Sequence, residues 1–293
     1  MIPVDPDPYK DTRAGLTVLR VSHPVLGSFL DHFEQLLAWQ ARIGPAFKPD
    51  LAAIDADLCH ERMAAGRPCL SAEDIKIEPN GFDRLVRQIA DSIMPPDGAA
   101  ASSTASVADG DRSGLVRGLL QRKAGPIEAA ARRYGMPLDL FAYSAHQALI
   151  PFMEVYAAHL RPLIAGAAWL RGCCPVCGGL PLMGRLEGEG GRRILLCTMC
   201  RHQWDFKRVE CPFCGNGDQQ TMRYFYDETD PQRRVDLCEK CKGYLKVVDG
   251  RAMVRAQHLL VEDVATLHLD VIARRQGFGG PGLYPFGDLP GRS

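Results

Sequence analysis

The hydrophobic positions of residues 1–170 recur with the period of an α-helix. In the segment 24–43 they lie on one face, and Gly44-Pro45 then predicts a stop. Five further helical patterns follow, and the last contains Pro151 and Pro162, which predict a kink or a division. These patterns cover residues 51–63, 82–89, 115–120, 127–134 and 138–170. The pattern therefore predicts an N-terminal all-α domain.

Polar residues mark the limits of these predicted helices. Asp50 is the predicted N-cap of the helix over residues 51–63, because a carboxylate at that position accepts hydrogen bonds from first-turn N–H groups. Residues 95–106 are rich in Pro, Ala, Ser and Gly and predict a loop.

The pattern changes at Arg171. Short alternating segments at 222–226 and 244–248 predict β-strands. Residues 259–276 return to a helical period, and Gly277 is the predicted cap. One apolar face of this helix is predicted to consist of Leu260, Val264, Leu267 and Val271.

Four Cys-x-x-Cys pairs lie between residues 171 and 250, within a chain that has 11 cysteines. Two thiolates at this spacing on a tight turn can both bind one metal ion, and two such knuckles complete a tetrahedral site. The gaps of about 20 residues within each half fit a β-hairpin between paired knuckles. The candidate ligands are Cys174, Cys177, Cys197 and Cys200 for site 1, and Cys211, Cys214, Cys238 and Cys241 for site 2.

The two sites belong to an internal repeat. Each half reads Cys-Pro-x-Cys-Gly, then a predicted hairpin, then Arg-Arg-(Ile/Val)-x-Leu-Cys-x-x-Cys, followed by Trp204 or Tyr244. This self-similarity favours pairing of knuckles within each half. The predicted fold is therefore multidomain α+β, an all-α domain followed by two tandem rubredoxin-like or zinc-ribbon modules and a C-terminal helix. The predicted boundaries are 1–170 for the α-helical domain, 171–209 and 210–250 for the modules, and 251–293 for the C-terminal helix and tail.

The other candidate ligands are assigned simpler roles. Cys59 and Cys69 in the helical part, and Cys173 beside the first knuckle, are interpreted as buried or spectator thiols. His202 is interpreted as a surface residue or a neighbour of the site, because four thiolates per site are already present. The arginine doublets 192–193 and 233–234 are interpreted as solvated strand faces or, alternatively, as contacts for an anion or acidic peptide.

Charge argues against nucleic acid as a partner. The chain has 35 Lys+Arg and 35 Asp+Glu, a formal net charge of zero, and two divalent ions with four thiolates each would take this to about −4.

The N-terminus lacks the features of a secretory signal, and no apolar run approaches the length of a membrane span. The expected protein is cytoplasmic, without membrane insertion. Tetrahedral sulfur suits iron or zinc, and structural ribbons more often bind zinc.

The cysteine repeat resembles the FdhE family, accessory proteins needed to make active formate dehydrogenase. The resemblance rests on the four knuckles, Trp204, the segment 243–246 and the closing helix, with His23-Pro24 ahead of Phe29 as a weaker sign. It implies two mononuclear four-cysteine iron sites of rubredoxin type, with zinc as the alternative metal. It also implies a cytoplasmic protein that is not itself an enzyme and binds the catalytic subunit of an exported formate dehydrogenase before translocation.

Two other functions stay open at this point. The same eight thiolates suit a rubredoxin-type electron-transfer protein. A zinc ribbon that binds nucleic acid is the third hypothesis, since the aromatic residues 224–226 could stack on bases. The simpler interpretation is that these aromatics pack the core of a ribbon. The sequence contains no recognisable catalytic Ser/His/Asp pattern and no phosphate-binding loop, which favours binding over catalysis.

Overall fold

The computed structural model describes residues 8–94, 109–121, 123–251 and 258–280, with the side chains of 109–111 excepted. The predicted loop at 95–106 lies outside the described residues. The segment before residue 170 is helical, as its periodicity predicts. Its helices are α1 (Lys10–Ser22), α2 (Gly27–Ala41), α3 (Ala56–Ala64), α4 (Pro79–Ile93), α5 (Asp109–Gln121), α6 (Ala124–Tyr134) and α7 (Leu138–Leu160).

The predicted N-cap at Asp50 is wrong. Helix α3 begins five residues later, and Asp55 is its N-cap, accepting a hydrogen bond from the N–H of Leu58 at 2.9 Å. Asp50 instead forms an ion pair with Lys76 at 2.8 Å. Either aspartate could cap a helix by the sequence rule. Residues 51–54 form a turn and not the first turn of the helix, so that the cap is Asp55.

Pro151 does not divide helix α7, which continues from Leu138 to Leu160. A proline has no N–H, so the carbonyl of Gln147 loses its helical partner. The side chain of Gln40 replaces that partner, donating from Nε2 to the Gln147 carbonyl at 2.9 Å in a buried position. At Pro162 the α-helix has ended, and one 3-10 turn covers Arg161–Ile164.

The cysteine-rich segment forms one six-stranded sheet in the described residues. Its strands are β1 (Pro181–Glu187), β2 (Arg192–Cys197), β3 (Gln203–Phe206), β4 (Met222–Asp227), β5 (Asp230–Cys238) and β6 (Tyr244–Asp249). The order across the sheet is β3-β2-β1-β6-β5-β4. Each repeat contributes three antiparallel strands, and the halves join where β1 pairs with β6 in parallel. The α+β class is confirmed, whereas the boundaries at residues 170, 209 and 250 stay predictions.

The predicted closing helix is broken at Thr266 into α8 (Leu259–Ala265) and α9 (Leu267–Arg275). The Thr266 hydroxyl donates to the carbonyl of Glu262 at 2.7 Å, which competes with continued helical pairing. The break changes the buried face, so that Val271 is 49% exposed whereas Leu269 and Ala273 are buried. The prediction of one apolar face over the whole segment is therefore wrong.

Ion pairs with little solvent exposure fasten these two helices to the sheet. Lys246 on β6 is 3% exposed and reaches Asp263 at 2.8 Å and Asp270 at 2.6 Å. Arg233 on β5 binds Glu262, which is 1% exposed, at 2.6 Å. The largest hydrophobic cluster is continuous from the helical part into both cysteine modules. No helix in the described part of the chain is both long enough and apolar enough for a membrane crossing.

Candidate metal centres

The four knuckles share one backbone conformation. The residue directly after each second cysteine has a positive φ: Gly178 at 74°, Arg201 at 54°, Gly215 at 71° and Lys242 at 54°. Glycine adopts this region freely, whereas arginine and lysine do so at a cost. Arg201 and Lys242 are the two non-glycine residues with positive φ among the described residues. The turn is therefore imposed by the knuckle, with glycine in the first and third copies.

One backbone hydrogen bond closes every knuckle. The N–H of each first cysteine donates to the carbonyl five residues later, at 2.8–2.9 Å. The four pairs are Cys174 to Gly179, Cys197 to His202, Cys211 to Asn216 and Cys238 to Gly243. These bonds fix the turn that points both sulfurs of a knuckle to the same side.

Site 1 brings together Cys174, Cys177, Cys197 and Cys200, all buried. Three of the Sγ–Sγ distances are 3.5 Å. The N–H groups of Gly179 and Met199 point at the sulfurs of Cys177 and Cys197, at 3.4 Å and 3.3 Å. Such donors stabilise charge on thiolate ligands.

The helical part holds the first knuckle directly. The N–H groups of Cys69 and Leu70 donate to the carbonyls of Pro175 and Val176, both at 2.8 Å. These carbonyls lie between the two cysteines of the knuckle. Two consecutive N–H groups of the helical part therefore hold the turn of the first knuckle.

Cys59 and Cys69 form a disulfide, so their interpretation as free thiols is wrong. They lie ten residues apart in a sequence without a recognised disulfide motif, and the fold of α3 brings them together. The disulfide closes the loop whose end pairs with the first knuckle. Cys173 is not part of a disulfide and is partly buried.

Site 2 brings together Cys211, Cys214, Cys238 and Cys241. The Sγ atoms of Cys211 and Cys241 are 3.6 Å apart, and those of Cys214 and Cys238 are 3.7 Å apart. Cys214 is exposed and Cys241 is half-buried, in contrast with site 1. Asn216 adds a side-chain donor, with Nδ2 at 3.6 Å from the Cys238 sulfur.

Hydrogen bonds between thiols lower the pKa of one cysteine in each cluster. In site 2, the bond from Cys211 lowers the pKa of Cys241 to about 5 and raises the pKa of Cys211. In site 1, burial opposes ionisation of Cys197, yet bonds from the other three cysteines hold its pKa well below the usual value.

Both clusters have the donor set and the spacing of a tetrahedral sulfur site. With metal–sulfur bonds of about 2.3 Å, neighbouring sulfurs of a tetrahedron lie about 3.8 Å apart. The observed distances of 3.5–3.7 Å are close to this value. In each cluster all four Sγ atoms lie within 4.8 Å of one another. Each cluster can therefore hold one metal ion.

The arginine doublets are not uniformly solvated, which corrects that interpretation. Arg193 is 1% exposed, although its neighbour Arg192 is exposed. Its guanidinium donates to the carbonyl of Glu210 at 3.1 Å and to the carboxylate of Asp236 at 3.3 Å. Glu210 directly precedes Cys211, so a buried cation from the first repeat binds the backbone beside site 2. The repeated Arg-Arg motif indicates that these positions matter to the repeat, but the burial of Arg193 could not be inferred from it.

Two tyrosines of strand β4 are more exposed than the interpretation as ribbon-core residues predicts. Tyr224 and Tyr226 are 61% and 47% exposed, with rings stacked at 6.2 Å, so they do not pack a ribbon core. Phe225 between them does pack against the hydrophobic cluster on the sheet.

His202 lies beside site 1 with its backbone in the knuckle, and burial lowers its pKa to about 4. Asn216 was missed because only its position after Cys-Gly in the third knuckle could have indicated it.

Comparison with known proteins agrees with the cysteine repeat. Residues 173–208 match the FdhE central domain and residues 209–286 match the FdhE C-terminal domain. The FdhE homolog of Aquifex aeolicus is 24% identical over 90% of this chain and 89% of its own length. The FdhE homolog of Shewanella oneidensis is 31% identical over 45% of this chain and 46% of its own length.

The fold agrees as well. The crystal structure of the FdhE protein from Pseudomonas aeruginosa superposes with a TM-score of 0.69, covering 97% of this chain and 98% of that one at 20% identity. At that identity the superposition shows a common fold. The two domain matches lie in series over the two cysteine clusters, and a relative aligns over nine-tenths of the chain, so the resemblance of this chain to the FdhE family is confirmed.

Proposed function

We propose that this chain is a cytoplasmic accessory protein for the assembly or activation of respiratory formate dehydrogenase. In this role it binds the catalytic subunit of that enzyme before export. One observation carries the proposal: the FdhE central and C-terminal domain matches coincide with the two four-cysteine clusters, one cluster in each. The role in formate dehydrogenase maturation is the one implied by the family resemblance of the knuckles.

The role is one of binding, not catalysis. A metal ion in either cluster would have all four positions filled by cysteine, whereas catalytic metal sites keep an open position. The eight cysteines named above would be the ligands, and iron is the proposed metal in both sites. Sulfur ligands at this spacing also suit zinc. Metal analysis of protein purified without oxygen distinguishes the two, since ferric sites of this type are red and zinc sites are colourless.

Recovery of the partner tests the proposal most directly. The chain carrying an affinity tag is purified from cells that make respiratory formate dehydrogenase, and the expected result is co-purification of its catalytic subunit. A chain with site 2 removed by Cys214→Ser, which should leave the helical part folded, is the control for dependence on that site. Absence of the subunit, together with normal formate dehydrogenase activity in a strain lacking this protein, would contradict the proposal.

Electron transfer is a second candidate, favoured by the exposure of site 2. Cys214 is exposed and Cys241 half-buried, so a metal ion there would lie near the surface, within reach of a redox partner. The iron-loaded protein should bleach on reduction and recover its colour on oxidation. Two zinc ions per chain in protein from its native host would rule this function out, while leaving the accessory role possible.

A further inference from the structure

A half-open cleft in the helical part lies away from both cysteine clusters. Its volume is about 370 Å³, within the size range of small-ligand pockets. Its walls come from the end of α2, the loop at residues 46–50, the segment at residues 76–78 and the first turn of α4. The metal sites make no use of this cleft.

The floor of the cleft is apolar and firmly packed. The rings of Phe47 and Phe152 meet edge to face with centroids 4.9 Å apart, and Phe152 and Ile43 are buried. The hydroxyl of Tyr156 accepts the N–H of Lys76 at 2.9 Å and donates to the Lys76 carbonyl at 3.0 Å, which fixes one wall. The cleft is therefore formed before any ligand binds.

The mouth of the cleft carries an excess of positive charge. Four cations and two carboxylates line it, for a formal charge of +2. The two carboxylates are already engaged: Asp50 binds Lys76 at 2.8 Å, and Glu78 accepts the N–H groups of Asn80 and Gly81 at the start of α4.

Three cations at the mouth have no ion-pair partner among the described residues: Arg42, Lys48 and Arg84. All three are exposed. The whole chain has a formal charge of zero, or about −4 with a divalent ion in each cysteine cluster, so this concentration of unpaired positive charge is local. An anionic group at the mouth would satisfy cations that the fold itself leaves unpaired.

The two chemistries together select one class of ligand. A free anion would use the mouth and leave the half-buried ring of Phe47 in contact with water. A neutral apolar ligand would fill the floor and leave three cations unpaired. We propose that the cleft binds an acidic peptide segment of a protein partner, with a bulky apolar side chain on Phe47, whose ring is backed by the buried Phe152, and flanking carboxylates at Arg42, Lys48 and Arg84. This inference rests on the proposed function, for which it supplies a partner-binding surface.

Direct binding of synthetic peptides tests the cleft without the partner. The probes are fluorescein-labelled pentapeptides with a central Leu, Met or Phe flanked by Asp and Glu, and matched peptides flanked by Lys. Fluorescence anisotropy at low salt should detect the acidic peptides and not the basic ones. The triple variant Arg42→Gln/Lys48→Gln/Arg84→Gln should bind at least about tenfold more weakly, in line with the loss of several charge-assisted contacts.

A matched variant controls for net charge. Lys10→Gln/Lys123→Gln/Arg275→Gln removes three exposed cations outside the cleft and should bind the acidic peptides as the unaltered chain does. Inorganic phosphate serves as competitor. Failure of every acidic peptide to bind, equal weakening in both triple variants, or displacement by phosphate at concentrations as low as those of peptide would each overturn the proposal. If peptides bind but the catalytic subunit is not recovered from cells, the proposed function fails and the cleft stands.

Discussion

The two cysteine clusters are built from the same repeat, yet they lie in different surroundings. Site 1 has four buried cysteines, all of them members of the hydrophobic cluster that runs through the helical part, whereas site 2 contributes only Cys211 and Cys238 to that cluster. Site 2 lies towards the edge strand β4, with Cys214 exposed and Cys241 half-buried. The same knuckle geometry therefore serves a core position in one half and a surface position in the other.

The difference arises from what packs on each knuckle. The first knuckle receives two backbone hydrogen bonds from residues 69–70. Site 2 is instead supported from within the cysteine-rich segment, by Asn216 beside Cys238 and by Arg193 from the other repeat. Loss of site 1 should accordingly affect the whole molecule, whereas loss of site 2 should stay local.

Equivalent ligand substitutions should have unequal effects, and this is the largest difference expected. Cys177→Ser and Cys214→Ser alter the same position of the repeated Cys-Pro-x-Cys-Gly motif. Cys177→Ser should lower the free energy of unfolding by more than about 4 kcal/mol, because metal is lost from a site inside the main core. Cys214→Ser should remove one metal ion and leave the thermal unfolding of the helices nearly unchanged. Metal analysis and far-ultraviolet circular dichroism measure both effects.

Equal loss of helical stability in the two variants would show that both sites are coupled to the helices through the sheet. Loss of both ions from Cys214→Ser would show that metal binding at the two sites is coupled. Either result would break the distinction between a core site and a surface site. The continuous sheet makes this a real test, since β1 and β6 join the two halves by parallel pairing.

Removal of the buried arginine should weaken site 2 from a distance. Arg193→Met leaves Asp236 with one fewer cation and the carbonyl of Glu210 without its donor, and a buried pair broken on one side costs about 3 kcal/mol. Because Glu210 precedes Cys211, the metal affinity of site 2 should fall more than that of site 1. Competition with a chelator of known affinity measures the two sites separately.

Arg192→Met is the matched control, because Arg192 is the exposed partner of the same doublet. Its effect on the free energy of unfolding should stay within about 0.5 kcal/mol. A fall in affinity confined to site 1 in Arg193→Met would contradict the assignment of Arg193 to site 2.

The sequence predicted the ligands' grouping far better than their environment. The Cys-x-x-Cys spacing and the repeated Arg-Arg and Cys-Pro elements are local, so they indicate the two groups of four that the structure brings together. The joining of the halves by β1 and β6, the burial of Arg193 and the Cys59–Cys69 disulfide depend on contacts between distant segments. The hydrophobic pattern of a segment does not indicate which distant segment it contacts. The wrong prediction of a helix cap at Asp50 has the same cause.

The disulfide should protect site 1 alone. Cys59→Ala/Cys69→Ala opens a loop of ten residues, which should lower the free energy of unfolding by about 2–3 kcal/mol. Residues 69–70 would then hold the first knuckle less firmly, so a chelator should remove the site 1 metal faster while site 2 is unaffected. Cys173→Ala, which alters a cysteine outside both the disulfide and the clusters, is the control and should change neither rate. Equal acceleration at both sites would point to general loosening of the fold.

Metal release from the unaltered chain should show two phases, the smallest effect expected here. Cys214 is exposed and Cys241 is half-buried, whereas site 1 must open locally before a chelator can reach it, so site 2 should release its ion at least about tenfold faster. The absorbance of a coloured chelator in excess follows both phases. Cys214→Ser should abolish the fast phase and keep the slow one, which assigns each phase to its site. A single phase in the unaltered chain would mean that exposure of Cys214 does not control access, and that both ions leave through one shared opening of the sheet.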